Sequence, residues 1–233
     1  MLYFCVPKVI TLFHGSPNIV GRPTVASGSR DRDFGPGFYC TRYQEVAEEW
    51  ATPSGAPGYV NRYTLDTHGL RTLDLRRTAT PTMDWLTVMA FNRTFRAETE
   101  FGARAQSYLA SECPFDLRSY DIIIGPRGDD SYFSFATDFI NNTVPFRRLS
   151  SVMDVGKEGM QTVLVSGKAI SRLRYEGSDP VDPEECFRRR CERDLRVRTR
   201  YLDREGRGGI DEYDIMMDDL MMGRVGRDDP RLR

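Results

Sequence analysis

Short runs rich in β-branched and aromatic residues recur along the chain, with helical stretches between some of them and not others. The runs are VITLF (9–13), GFYCT (37–41), GYVNRYTLD (58–66), LRTLDL (70–75), YDIIIGP (120–126) and QTVLVS (161–166). Such residues suit a pleated surface, and Gly, Pro, Ser and Asp punctuate the connections, most densely from Pro17 to Gly37. In QTVLVS the residues alternate, with Gln161, Val163 and Val165 on one face and Thr162 and Leu164 on the other. Helical spacing marks TRYQEVAEEWA (41–51), where Thr41 and Gln44 stand as in a capping box and Tyr43, Val46, Ala47 and Trp50 share a face. It also marks TMDWLTVMAFNRTFRA (82–97) and YFSFATDFI (132–140). Regular alternation of strand and helix would predict a doubly wound parallel sheet. Its absence predicts an α+β fold.

The 233 residues suffice for one good-sized core. Beyond Tyr175 the composition changes. EGSDPVDPEE reads as a linker, and CFRRRCERDLRVRTRYLDREGR mixes Arg with Asp and Glu at helix-pair spacing, which predicts a solvated helix. IDEYDIMMDDLMMGR then puts Tyr213, Met216, Met217, Leu220 and Met221 on one apolar stripe. That helix can dock on its own domain, its simplest use, or serve self-association or a partner's groove. The expected organisation is a domain over residues 1–175 and a charged linker with a helical tail over 176–233.

A net charge of −1 argues against binding nucleic acid through bulk electrostatics. Five scattered cysteines without a CxxC pair suggest reduced thiols in a cytoplasmic protein, with no disulfide framework and no metal site. The opening MLYFCVPKVITLF lacks a basic start and a cleavage site, so it reads as a first strand and not a signal peptide. No apolar run reaches the roughly 20 residues of a membrane span.

His14 ends the first of these strands, followed at once by Gly15 and Ser16; the chain has just one other histidine, His68, in an ordinary turn. Some twenty residues on comes DFGPGFYCT, which is neither a dinucleotide-binding fingerprint nor a P-loop. Together with the late strand QTVLVS, these pieces resemble the catalytic core of the ADP-ribosyltransferase superfamily, on its His-Tyr-Glu side, which includes diphtheria toxin and the poly(ADP-ribose) polymerases. The family's HG[ST] matches His14, Gly15 and Ser16, and its GxGxYF matches GPGFYC, so that its tyrosine falls on Tyr39 and its loop glycine on Gly37. Its second aromatic falls on Trp50, and the position of its glutamate on Gln161. The set is most similar to a family of small bacterial domains of this type, uncharacterised and suspected as toxins.

The resemblance spans residues 9 to about 175. It implies split mixed and antiparallel sheets with flanking helices, and NAD as co-substrate without a metal. Gly15 and Ser16 would meet the nicotinamide carboxamide, and Tyr39 and Trp50 would sandwich the ring, a ring–cation contact worth about 1 kcal/mol or more. His14 would orient the ribose, and Arg30 is the candidate for the pyrophosphate. Gln161 departs from the family, because an amide can hold the 2′-hydroxyl but carries no charge to stabilise an oxocarbenium ion. This argues against polymer elongation and leaves mono-ADP-ribosyl transfer to a protein or nucleic acid, NAD hydrolysis, or binding alone by an inactive module. Glu158 and the Glu98–Glu100 pair are acids that stand in as alternatives, with a solvated loop and an exposed helix face as their simpler readings. GPRGDD (125–130) offers Asp129, Asp130 and Arg127 to a metal or target, or else forms a polar turn that caps a helix. An RNA 2′-phosphotransferase would need more histidines at the site. The tail is a candidate docking place for an antitoxin.

Overall fold

The computed structural model describes residues 9–25, 32–53, 55–93, 95, 99–128, 130–153, 159–205 and 210–233. It is an α+β fold with two separate sheets. The first sheet joins β1 (Val9–Ser16), β3 (Gly58–Asp66) and β7 (Leu173–Val181) in the order β1-β3-β7, antiparallel throughout. The second has the order β2-β6-β5-β4, from β2 (Phe38–Cys40), β4 (Thr72–Asp74), β5 (Ile122–Pro126) and β6 (Met160–Leu164). Only the β4–β5 pairing is parallel.

Alternation decides what lies between the sheets. Ile10 and Leu12 of β1 turn inward to meet Phe38, Ile122 and Leu164, forming one apolar cluster with Tyr63 and Leu65 of β3. The opposite face of the second sheet sends Ile123 and Val163 into the larger cluster. That cluster is built on α2 (Pro81–Asn92), α3 (Glu100–Ser111), α4 (Asp130–Ile140) and α5 (Phe146–Val152). Every residue of β6 is buried because both of its faces are covered. A short helix, α6 (Gly167–Ser171), leads from β6 into β7, capped by the Ser166 hydroxyl, which accepts from the Ala169 N–H at 3.0 Å.

Several expectations need correction. The helix expected over 82–97 stops at Asn92, whose side-chain amide turns back to donate to the Val88 carbonyl at 2.8 Å. The first helix, α1 (Gln44–Ala51), has no capping box. The backbone of Thr41 is committed to β1, its hydroxyl accepts from the Tyr43 N–H at 3.2 Å, and Gln44 donates to Glu48 instead.

The boundary at residue 175 falls inside β7, and residues 177–181, read as linker, pair with residues 58–62 of β3. Pro180 stands near the end of that strand, on the sheet's edge, where a missing N–H is tolerated. The charged segment is the helix α7 (Pro183–Glu205), with the anticipated pairs Arg188–Glu192 at 2.9 Å and Arg198–Asp194 at 2.8 Å. It also reaches back to α1, through Arg189 to Glu48 and Arg193 to Glu49.

The Met-rich segment is helical only over α8 (Met217–Met221), and Tyr213, expected on its stripe, is exposed. Ile215, Met217, Leu220 and Leu232 are buried in the larger cluster, and the Tyr108 hydroxyl donates to the Leu220 carbonyl at 3.0 Å. The stripe therefore docks on its own domain. Among the described residues no helix is long and apolar enough to cross a membrane.

Leu220→Ala would leave a cavity in this core, so it is expected to cost about 3 kcal/mol in urea unfolding monitored by circular dichroism. A loss below about 0.5 kcal/mol would mean that the tail is energetically separate from the domain.

Candidate functional site

Strands β1 and β2 share one bridge, at which Phe13 exchanges both backbone hydrogen bonds with Thr41, at 2.8 and 2.9 Å. Continuing that register would set Gly15 opposite Tyr39. Instead the strands part, and Tyr39 pairs with Val163 of β6. The Tyr39 carbonyl accepts from His14 Nδ1 at 2.7 Å, so the imidazole bridges the fork where a backbone N–H would stand in an unbroken ladder. Alternation along β1 turns the N–H and C=O of Gly15 to the same side as those of Phe13, away from β3 and into the opening.

The fork opens a cleft of about 750 Å³. His14, Gly15, Ser16, Gly37, Tyr39, Trp50 and Gln161 all line it, so seven of the eight residues singled out from the sequence share one wall system. The eighth, Arg30, lies outside the described residues, as do Glu98, Asp129 and Glu158. Thr99, between the two acids of the ETE segment, caps α3 by accepting from the Gly102 N–H at 3.0 Å. Glu100 is exposed on that helix's first turn. Among the described residues no group of three or more His, Cys, Asp or Glu side chains could hold a metal ion.

A carbonyl only accepts, so His14 Nδ1 carries the proton and the neutral ring keeps Nε2 as an acceptor. Burial holds this imidazole below its ordinary value of 6.5; the charge of Arg32 acts in the same sense and the Tyr39 carbonyl opposes it. The ring packs on Phe38 at 4.5 Å between centroids.

Tyr39 uses its hydroxyl structurally. The hydroxyl accepts from the Phe34 N–H at 3.1 Å and donates to the Gly35 carbonyl at 2.7 Å, which folds the glycine loop over the ring. Burial pushes its phenol far above the ordinary range, and the hydroxyl is engaged with the loop. The Arg32 guanidinium stands 5.2 Å from the Tyr39 ring centroid, and that of Arg127 stands 6.0 Å from Trp50. Both aromatic surfaces thus already have a flat cation beside them.

Close packing accounts for glycine at position 15. A Cβ there would lie 1.8 Å from the Ala47 carbonyl oxygen and 2.8 Å from Trp50 Cβ. The missing side chain lets α1 rest on β1 and carries Trp50 to the cleft. Ser16 has its hydroxyl in a turn, accepting from the Asn18 N–H at 3.2 Å. The loop beyond is tied down by buried Asn61, whose Oδ1 accepts from the Val20 N–H at 2.8 Å and whose amide donates to the Asn18 carbonyl at 3.3 Å.

At the back of the cleft Gln161 is buried and gives its amide nitrogen to Asp33 Oδ2 at 2.9 Å and to the Pro126 carbonyl at 3.3 Å. Asp33 Oδ2 also accepts from the Gly128 N–H at 2.7 Å, and Oδ1 accepts from Arg93 Nη1 at 2.7 Å. A Cβ on Gly128 would lie 2.7 Å from Met89 Cε and 3.0 Å from Asp33 Oδ1, so a side chain there would press on both. Arg93 also donates to the Gly128 carbonyl at 2.8 Å and lies 4.0 Å from the Phe133 ring centroid. Three guanidinium groups, those of Arg32, Arg93 and Arg127, therefore line the cleft with the carboxylate of Asp33. Such a lining suits an anionic ligand.

Asp33 opens the DFGPGFYCT segment, and neither it nor Arg93 or Asn61 had a role assigned from the sequence. Arg93 lay hidden in an apparent helix that ends one residue before it.

Because His14 is held below 6.5, it is neutral in the folded chain at neutral pH, and its contribution to stability is present above that value. As pH falls through 6.5 toward the depressed folded value, the unfolded chain takes up the proton first and the contribution is lost. His14→Gln is expected to flatten the fall in urea midpoint below pH 6.5, and NMR should find the His14 midpoint below 6.5. A His14 midpoint at or above 6.5 would contradict the burial argument.

No curated protein and no solved structure matches the chain. One family model does, over residues 10–175, from the first residues of β1 into the early part of β7, leaving α7 and α8 beyond it. The match takes in every residue of the cleft named above, and by it the chain belongs to the family described as protein of unknown function (DUF3990).

Proposed function

We propose that the chain binds NAD in this cleft, breaks its nicotinamide–ribose bond and passes ADP-ribose to a macromolecular acceptor, as a mono-ADP-ribosyltransferase of the His-Tyr-Glu type. The observation that carries this reading is the meeting of His14, Tyr39, Trp50 and Gln161, from β1, β2, α1 and β6, around one cleft. The hollow falls within the roughly 300–1,000 Å³ of small-molecule sites.

Each part has work that suits this substrate. The backbone of Gly15 faces the opening with one donor and one acceptor, the pair a carboxamide requires. The rings of Tyr39 and Trp50 already have guanidinium groups beside them and suit a pyridinium as well. His14 Nε2 accepts from a ribose hydroxyl, and the arginines of the lining suit the pyrophosphate. The acceptor on this reading is a protein or a nucleic acid, and the activity that of a toxin.

One observation favours a second reading, a module that holds NAD or ADP-ribose without chemistry. The family's glutamate position carries the neutral amide of Gln161, buried at the back of the cleft.

Incubation with NAD labelled in the adenylate, alone and with cell lysate, separates these outcomes. Nicotinamide release with label on a macromolecule supports transfer; release without it supports hydrolysis; binding without release supports the module. On the catalytic reading, His14→Ala should lower nicotinamide release by about 100-fold, as expected when a reacting group is misplaced. Trp50→Ala should lower it by about tenfold through a lost ring contact. Full turnover in both variants would remove the assignment.

A further inference from the structure

Gln161 lacks the charge that cleavage of a glycosidic bond calls for, yet its amide does not stand alone. We propose that Asp33, delivered from the glycine loop, is the positioning residue that supplies the negative charge and fixes the orientation of Gln161 for that cleavage. The inference rests on the NAD reading above and decides between its catalytic and binding forms.

The argument begins with hydrogen bonds. A carboxylate accepts and does not donate, so the contact at 2.9 Å assigns the amide nitrogen of Gln161 to the Asp33 side. The Pro126 carbonyl at 3.3 Å requires the same assignment. With Nε2 held by two acceptors, the amide can offer only its carbonyl Oε1 to the cleft that Gln161 lines. Oε1 is an acceptor, which a ribose 2′-hydroxyl needs. Without Asp33 the amide keeps only the longer bond to the Pro126 carbonyl at 3.3 Å, a weaker restraint against the flip that presents a donor.

Charge comes next. In the cleavage, the bond between ribose C1′ and the pyridinium nitrogen breaks and its electron pair goes to nitrogen, releasing neutral nicotinamide. C1′ becomes an oxocarbenium cation, water or an acceptor oxygen adds to it, and the added group gives up a proton. A negative charge nearby stabilises the cation. Asp33 lines the cleft and lies one hydrogen bond behind Gln161, so its charge is relayed through the polarised amide.

Its remaining partners explain how a carboxylate stays so deeply placed. Asp33 is 7% exposed; the Gly128 N–H and Arg93 Nη1, each at 2.7 Å, replace the lost water. Arg93 offsets part of the charge, and its position over the Phe133 ring holds it on the side of Asp33 away from Gln161's amide contact, on the other carboxylate oxygen.

The arrangement also predicts which repair fails. Gln161→Glu alone, the simplest way to restore the family residue, would set a second carboxylate against Asp33 Oδ2 at the distance of a hydrogen bond. Like charges so close cannot both stay ionised. The charge has to move, not double.

The test uses the full chain with NAD, reading nicotinamide release and, separately, NAD affinity by calorimetry. Asp33→Asn should lower kcat by about 100-fold while the NAD Kd stays within about threefold. The double variant Asp33→Asn with Gln161→Glu, which returns one charge to the strand, should regain about tenfold over Asp33→Asn, whereas Gln161→Glu alone should stay impaired. The proposal is overturned if Asp33→Asn turns over within about threefold of wild type. It is equally overturned if turnover and binding fall together and the double variant recovers neither, since that is the signature of a purely structural carboxylate. A wild-type chain that binds NAD and releases no nicotinamide leaves the binding-module reading and removes this one. A wild-type chain that does not bind NAD removes the NAD reading as a whole.

Discussion

The architecture of the site turns on two strands that begin as neighbours and then separate. Phe13 of β1 and Thr41, the residue after β2, hold the two strands together at one bridge, while β1 pairs along its length with β3 and β2 with β6 in a separate sheet. Such a parting leaves backbone groups without ladder partners, and an unpaired buried carbonyl costs about 1–3 kcal/mol. The His14 imidazole removes that cost at Tyr39. One nitrogen of the ring is committed to the fold and the other is thereby fixed as an acceptor. A single hydrogen bond thus closes the fork and sets the tautomer of the ring.

From the fork the rest of the cleft follows by close packing. Gly15 admits α1 onto β1, α1 carries Trp50, and the Tyr39 hydroxyl draws the loop of residues 34–35 over its own ring. That loop brings Asp33, which ties the segment after β5 to β6 through Gly128 and Gln161. The tie runs further than the matched family region. Glu49, beside Trp50 in the sequence, meets Arg127 at 3.5 Å on the cleft side and Arg193 of α7. The charged helix is thus joined through one carboxylate to the wall of the cleft. Arg193 is mostly buried, where losing one partner of a charge pair costs far more than at the surface.

Much of this was legible along the chain. The β3 run GYVNRYTLD matches its strand residue for residue, and β6 alternates as its pattern requires, with Val163 and Leu164 in different clusters. The cleft residues from β1, β2, α1 and β6 could be chosen because their motifs, each weak alone, in combination resemble those of a known superfamily. The linker reading of residues 176–185 failed over 177–181 because Gly, Ser, Asp and Pro are turn formers by local preference, and an edge strand accepts them when its one neighbour supplies the hydrogen bonds. The tail looked separate because a charged segment precedes it. Its apolar side chains nonetheless complete a core that α2, α3 and α5 leave open, with the Ile215 carbonyl accepting from the Phe146 N–H at 2.8 Å.

The sequence by itself determined the α+β class, most of the elements and the residue types that line the cleft. Those depend on preferences that act over a few neighbouring residues. Only the tertiary structure decided that the strands fork between Phe13 and Gly15, and that a carboxylate at residue 33 meets an amide at 161, a guanidinium at 93 and an N–H at 128. No periodicity marks such a meeting. It arises because separate elements, each folded for local reasons, must share one buried space and satisfy every polar group they bring into it.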